Sequence, residues 1–108
     1  MTFTSTELLH LSTMLLDAKC TDDMRENDIL EEIERKITYA SMSGCERATF
    51  YFSDKRLICL VEATEVALKE KKEVFYELYE PVCRRVKEEA MKRGLIRVDN
   101  ATSTTSNT

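Results

Sequence analysis

His10 is the only imidazole in this chain, and its thiols are Cys20, Cys45, Cys59 and Cys83. With a carboxylate group at Asp22, Asp23, Glu26 and Asp28, these are the residues from which catalysis or metal binding would be built. A general base working near neutral pH needs its imidazole in a pocket beside an orienting partner. On a helical wheel His10 projects away from Leu8, Leu11 and Leu15, so it is expected on the surface, with Glu7 one turn away as its neighbour. The cysteines are 25, 14 and 24 residues apart, and none forms the C-x-x-C pair used for zinc or redox chemistry. A nucleophilic thiol needs a helix N-terminus or a cation to stabilise its thiolate. Cys45 follows a helix C-terminus, and Cys83, beside Arg84, is the least unfavourable. The four are expected as free thiols, mostly buried and acting as small apolar side chains. The acidic group lacks the alternating D-x-D-x-D-G order and distal glutamate of a calcium loop, and helix capping accounts for it. With two glycines in 108 residues, no loop can cradle a phosphate. The expectation is a protein that is not an enzyme, with no catalytic residue, metal site or cofactor.

A second chemistry is polyanion binding. Arg84, Arg85, Lys87, Lys92, Arg93 and Arg97 crowd the C-terminal part of the sequence, where they could release counterions from a nucleic acid. The charge is uneven: residues 1–53 hold 10 acidic and 5 basic side chains, and residues 54–98 hold 9 acidic and 11 basic. Glu80 and Glu88 lie one turn from Arg84, however, and Glu89 one turn from Arg85, so pairing should neutralise much of the stripe. Nucleic-acid binding through this helix is therefore the alternative reading.

These residues must be carried by helices. Thr4 and Glu7 have capping-box spacing, which starts a first helix at Thr4. Leu8, Leu11, Leu15 and Ala18 follow on one face, with Leu9 and Leu16 beside them, an apolar arc covering about half the circumference. Asp23 and Glu26 are expected to cap a second helix carrying Ile29, Leu30, Ile33, Ile37 and Ala40 to Gly44. Ala48, Phe50 and Phe52 then alternate with Thr49, Tyr51 and Ser53 as a strand. Ser53-Asp54-Lys55 is read as a turn and 56–61 as the returning strand of a hairpin, with a helix beginning at Leu57 as the competing reading. Helices are expected over 62–72 and 74–93. Pro81 either kinks the second of these or opens a fresh one, and Gly94 ends it. Leu95-Ile96-Arg97-Val98 is read as a final strand.

The fold expected is α+β and helix-dominated, with helices packed on a small two- or three-stranded sheet. One face of the sheet should lie on the second and last helices, and Leu11, Leu15, Ile33, Ile37, Phe50, Phe52, Val82 and Val86 should form the core. A single domain spans 1–98, and 99–108, rich in Ser, Thr and Asn, forms a flexible tail. With no run of about 18 apolar residues and no basic-flanked leader, the chain is expected to be cytoplasmic, without a membrane partner.

Helix–glycine–strand punctuation at Gly44, repeated at Gly94, resembles that of small phage-encoded accessory proteins. The likeness lies in size and punctuation over about two-thirds of the chain, includes no diagnostic motif, and assigns no residue a role. It implies that the protein sequesters or inhibits a host component. From the residues themselves, the surplus is apolar: a half-circumference of leucine on the first helix, and Phe75, Tyr76, Leu78 and Tyr79 on the last. A chain this short is expected to use that surplus for a protein partner or for self-association as a homo-oligomer. Leu8, Leu9, Leu16, Phe75, Tyr76 and Tyr79 are the expected partner-binding residues. The function expected is a small intracellular regulatory or inhibitory protein acting by protein–protein binding.

Overall fold

Helices form wherever a capped, apolar-periodic segment occurs, and the computed structural model describes them over residues 1–70 and 73–97. The order is β1 (Thr2–Thr4), α1 (Ser5–Lys19), α2 (Asp28–Met42), β2 (Arg47–Thr49), α3 (Asp54–Lys69) and α4 (Glu73–Lys92). Helices dominate, and β1 and β2 form a two-stranded antiparallel sheet, so the fold class is α+β as expected. The expected tail at 99–108 and Val98 lie outside the described residues, as do Lys71 and Lys72.

The capping box forms as its spacing requires. Glu7 N–H donates to Thr4 Oγ1 at 3.2 Å, and Thr4 N–H donates to Glu7 Oε1 at 2.9 Å. The cap of α2 is Asn27, not Asp23 or Glu26: Asn27 Oδ1 accepts from Leu30 N–H at 3.0 Å. Turns occupy the acidic stretch instead, and they put Met24 into the core. Gly44 (φ 81°) and Gly94 (φ 74°) both take the left-handed conformation that closes a helix. At Gly94 the closure is a Schellman motif, with Leu95 N–H on Ala90 O at 2.9 Å and Gly94 N–H on Met91 O at 3.0 Å.

Three expectations on strands are corrected. Residues 56–61 do not return as a hairpin strand; they belong to α3, which starts at Asp54 under a Ser53 cap. The run lacks clean amphipathic contrast because α3 is packed on several sides. Leu57, Cys59, Leu60, Val61, Ala63, Thr64 and Ala67 are all buried, as in a helix surrounded by others. The partner of β2 is Thr2–Thr4, a strand too short to show periodicity, in the register Thr2↔Thr49, Phe3↔Ala48 and Thr4↔Arg47. Leu95 and Ile96 form a bend and Arg97 has no regular structure, so the strand expected over 95–98 does not form among its described residues.

α1 packs against α2, α3 and α4, and α3 touches the other three helices. Leu8, Leu11, Leu15, Leu30, Ile33, Ile37, Leu57, Leu60, Val82 and Val86 are fully or almost fully buried between them. Phe3 and Phe52 join this core, whereas Phe50 is only partly buried, stacked on Phe52 at 5.6 Å and tilted on Phe3 at 6.2 Å. The sheet is tied to α4 through Arg85. Its guanidinium donates to Thr2 O at 2.8 Å and to both oxygens of Glu7, and it lies 5.1 Å from the Phe3 ring centroid.

Pro81 neither ends α4 nor opens a new helix; it sits inside the helix on the exposed side. Burial of Tyr79, Val82, Cys83, Val86 and Ala90 along the opposite side outweighs the missing backbone bond. Because Pro81 lies on the exposed side, Pro81→Ala should raise the unfolding free energy by about 1–2 kcal/mol, less than the helix-propensity gap alone because proline also stiffens the unfolded chain. Urea denaturation followed by circular dichroism measures this.

Candidate protein-binding face

α1 has packed surfaces on most of its circumference and one open stripe. Towards α2, Ser12 Oγ meets Thr38 Oγ1 at 2.9 Å and Lys19 Nζ donates to Glu34 Oε1 at 3.0 Å. Towards α4, Glu7 holds Arg85, and the His10 ring meets Tyr79 edge-on at 5.6 Å. Between these flanks Leu9, Thr13, Leu16 and Cys20 line the outer side, Leu9 57% exposed and Leu16 46% exposed. Their spacing of four, three and four residues is that of a coiled-coil seam, with leucine at both equivalent d positions.

The first two turns of α4 carry a second group of exposed apolar side chains, of which Tyr76 lies towards Leu68 of α3. Phe75, Tyr76 and Leu78 are exposed over almost half their area. The Phe75 ring stacks on Tyr79 at 6.2 Å, and Tyr79 in turn touches His10. Ring contacts run from His10 on α1 through the buried Tyr79 to Phe75 at the start of α4. Four of the six expected partner-binding residues, Leu9, Leu16, Phe75 and Tyr76, reach solvent.

The other two do not. Leu8 is fully buried, because it points along α1 with Leu11 and Leu15 towards the core, and it offers nothing to a partner. Tyr79 is 5% exposed, since it shares the inner side of α4 with Val82 and Val86 and supports the face from beneath. Leu78, outside the six, is exposed to a similar degree. Tyr39, Met42 and Tyr51 are also exposed, on α2 and after β2; the alternation over 48–53 sets Tyr51 opposite the apolar side, and no periodicity singled out Tyr39 or Met42.

The basic helix is largely satisfied by neighbouring acids. Arg84 pairs with Glu80, Lys87 with Glu65 at 2.8 Å, and Arg93 with Glu89 at 3.0 Å. Arg93 also donates to Phe52 O at 2.8 Å and to Asp54 at 3.2 Å. Arg85 does not pair with Glu89 as expected but crosses to Glu7, because the start of α1 lies beside α4. Lys92 and Arg97 are exposed at the end of the helix and beyond it. These pairs leave a neutralised flank where an even positive stripe would be needed to follow a phosphate backbone.

The groups with chemical potential are placed for packing. His10 is half-buried against Tyr79, and its expected neighbour Glu7 is engaged by Arg85. Cys59 and Cys83 are free and buried; burial pushes the Cys59 thiol up to about 11 and raises Cys83 as well, despite Arg84 next in sequence. Cys45 is half-buried and Cys20 is exposed, so two of the four thiols are fully inside. Asp22 bonds Arg25 at 2.7 Å, and Asp28 lies in the first turn of α2, where its charge suits the helix dipole. No described helix is long and apolar enough to cross a membrane. Comparison with protein-family models, curated proteins and solved structures finds no match to this chain.

Proposed function

We propose that the protein is a small non-enzymatic regulator or inhibitor that acts inside the cell by binding another protein, through α1 and the start of α4. The observation carrying this reading is the exposure of large apolar side chains on two packed helices, Leu9 and Leu16 on α1 and Phe75, Tyr76 and Leu78 at the start of α4. Side chains of this size lose apolar hydration when covered, at about 25 cal/mol per Å². The outward seam on α1 suits an amphipathic helix, whose own leucines would seat between Leu9, Thr13 and Leu16. Sequestering or inhibiting a target, the role that the phage-type punctuation implies, requires a surface of this kind and no reactive group. The paired state of Arg84, Arg85, Lys87 and Arg93 favours this reading over nucleic-acid binding.

Affinity capture from a lysate, with wild-type bait beside a Leu9→Glu/Leu16→Glu variant, tests it. Both positions are exposed, so the variant should keep its helical circular dichroism and melt near the wild type. The expected result is a specific protein held by the wild type and lost from the variant by at least tenfold, a change of about 1.4 kcal/mol. Equal capture by both baits, or retention only of nucleic acid in a steeply salt-dependent manner, would overturn it.

A further inference from the structure

The two edges of the small sheet differ in a way that points to a second interface. In an antiparallel ladder every other residue turns its backbone N–H and C=O away from the partner strand. Phe50 N–H donates to Met1 O at 2.8 Å and Ser5 N–H donates to Glu46 O at 2.9 Å. These fix 1↔50, 3↔48 and 5↔46 as the bonded pairs, so Thr2, Thr4, Arg47 and Thr49 face outward. On β1 those outward groups are covered: Thr2 O accepts from Arg85 and Thr4 N–H donates to Glu7. On β2 the backbone groups of Arg47 and Thr49 have no partner among the described residues. β2 ends at Thr49, but Phe50 and Phe52 beyond it stack on each other and Tyr51 between them is 92% exposed, the alternation of an extended segment. The same alternation, carried one step further, would turn the Tyr51 backbone outward, where it has no hydrogen-bond partner among the described residues.

We propose that the outer edge of Arg47–Thr49–Tyr51 pairs antiparallel with the same edge of a second copy, joining two β1–β2 sheets into one four-stranded sheet across a twofold axis. The sequence of the edge selects its own kind as occupant. With Thr49 on the twofold, each Arg47 lies opposite Tyr51 of the other copy, because the two are equally distant from Thr49. An arginine guanidinium then faces an aromatic ring, threonine faces threonine, and up to about six backbone bonds form. Centring the axis on Arg47 would instead set like charges opposite each other, which disfavours that register. This interface lies on β2, separate from the α1/α4 face, and stands whether or not that face binds a partner.

Sedimentation equilibrium of the full chain over roughly 1 µM to 1 mM tests the pairing, the span expected for a small interface. The wild type should show a monomer–dimer equilibrium. Thr49→Pro removes the outward N–H, together with the hydroxyl that meets Thr2 Oγ1 at 2.8 Å within the sheet, and should weaken the dimer at least tenfold. Thr49→Val, which removes that hydroxyl but keeps the N–H, should leave the dimer intact. Thr49→Cys in a Cys20→Ser background should form a disulfide-linked dimer under mild oxidation, because directly opposed bonded residues lie about 5.5 Å apart between Cα atoms. This crosslink decides the matter if Thr49→Pro loses its helical circular dichroism. A wild type that stays monomeric throughout, a dimer unaffected by a folded Thr49→Pro, or a Thr49→Cys chain that does not crosslink would overturn the proposal. A dimer lost in Leu9→Glu/Leu16→Glu but kept in Thr49→Pro would place self-association on α1 and overturn it as well.

Discussion

Leu8→Ala should destabilise the protein by about 2–5 kcal/mol, whereas Leu9→Ala should change its stability by no more than about 0.5 kcal/mol. The two leucines are adjacent in sequence and chemically identical, and only their direction from the α1 axis differs. Leu8 is fully enclosed with Leu11 and Leu15, so truncation leaves a cavity that the surrounding helices refill only in part. Leu9 is 57% exposed and packs little that truncation can remove. Chemical denaturation of the two variants measures the contrast. A small loss at Leu8 would mean that α1 is rotated relative to the other helices, which would also redraw the proposed binding face.

The second large effect concerns the polar seam between α1 and α2. Glu34 is almost buried, with 9% of its side chain exposed, and accepts from Lys19 at 3.0 Å and from Thr38 Oγ1 at 2.6 Å. Thr38 also bonds Ser12. Burial raises the Glu34 pKa, but hydrogen bonds from Thr38 and Lys19 and the charges of Lys19 and Arg35 outweigh it and hold the carboxyl below 4.5. Glu34→Ala leaves Lys19 and Thr38 without their acceptor in a half-enclosed seam, and it should cost about 1–3 kcal/mol at neutral pH. A group whose pKa is lower in the folded state than in the unfolded chain stabilises fully above the unfolded value. That contribution fades as pH falls through the folded value. Glu7 is held low in the same direction, where burial is outweighed by bonds from Thr4 and Arg85. Stability should therefore decline below about pH 4.5, and Glu34→Gln should have a shallower acid limb than the wild type. Urea denaturation at neutral pH and near pH 3 distinguishes the two slopes.

Much of this architecture is legible from local rules. Thr4 and Glu7 fix the start of α1 because a capping box needs only two side chains at one spacing. Ile33 and Ile37 mark the inner side of α2, and Gly44 and Gly94 mark helix ends, because each signal lies within a few residues. Signals that depend on distant neighbours are less visible. Thr2–Thr4 becomes a strand only because residues 47–49 return beside it. The apolar run at 56–61 resembles a strand until its enclosure by three helices is known.

The candidate face divides in the same manner. Leu9 and Leu16 stand out as excess because the apolar arc of α1 is wider than one packed side requires. Separating Leu8 from Leu9 needs the positions of α2 and α4, which pack α1 from both flanks. Tyr79 falls in step with Val82 and Val86 and goes inside, while Phe75, one turn earlier, lies where α4 begins and stays half-exposed. Glu7 shows a limit of pairing by spacing. Its nearest sequence partner is His10, but the tertiary fold brings Arg85 to it from 78 residues away.

If a partner protein docks on α1 and the start of α4, as we propose, amide hydrogen exchange with and without the protein recovered by affinity capture will map the docking surface. Slower exchange across residues 9–17 and 75–79, with the last turns of α4 unchanged, is the predicted result. Protection confined to the Arg84–Arg93 stretch, or none on α1, would contradict the account.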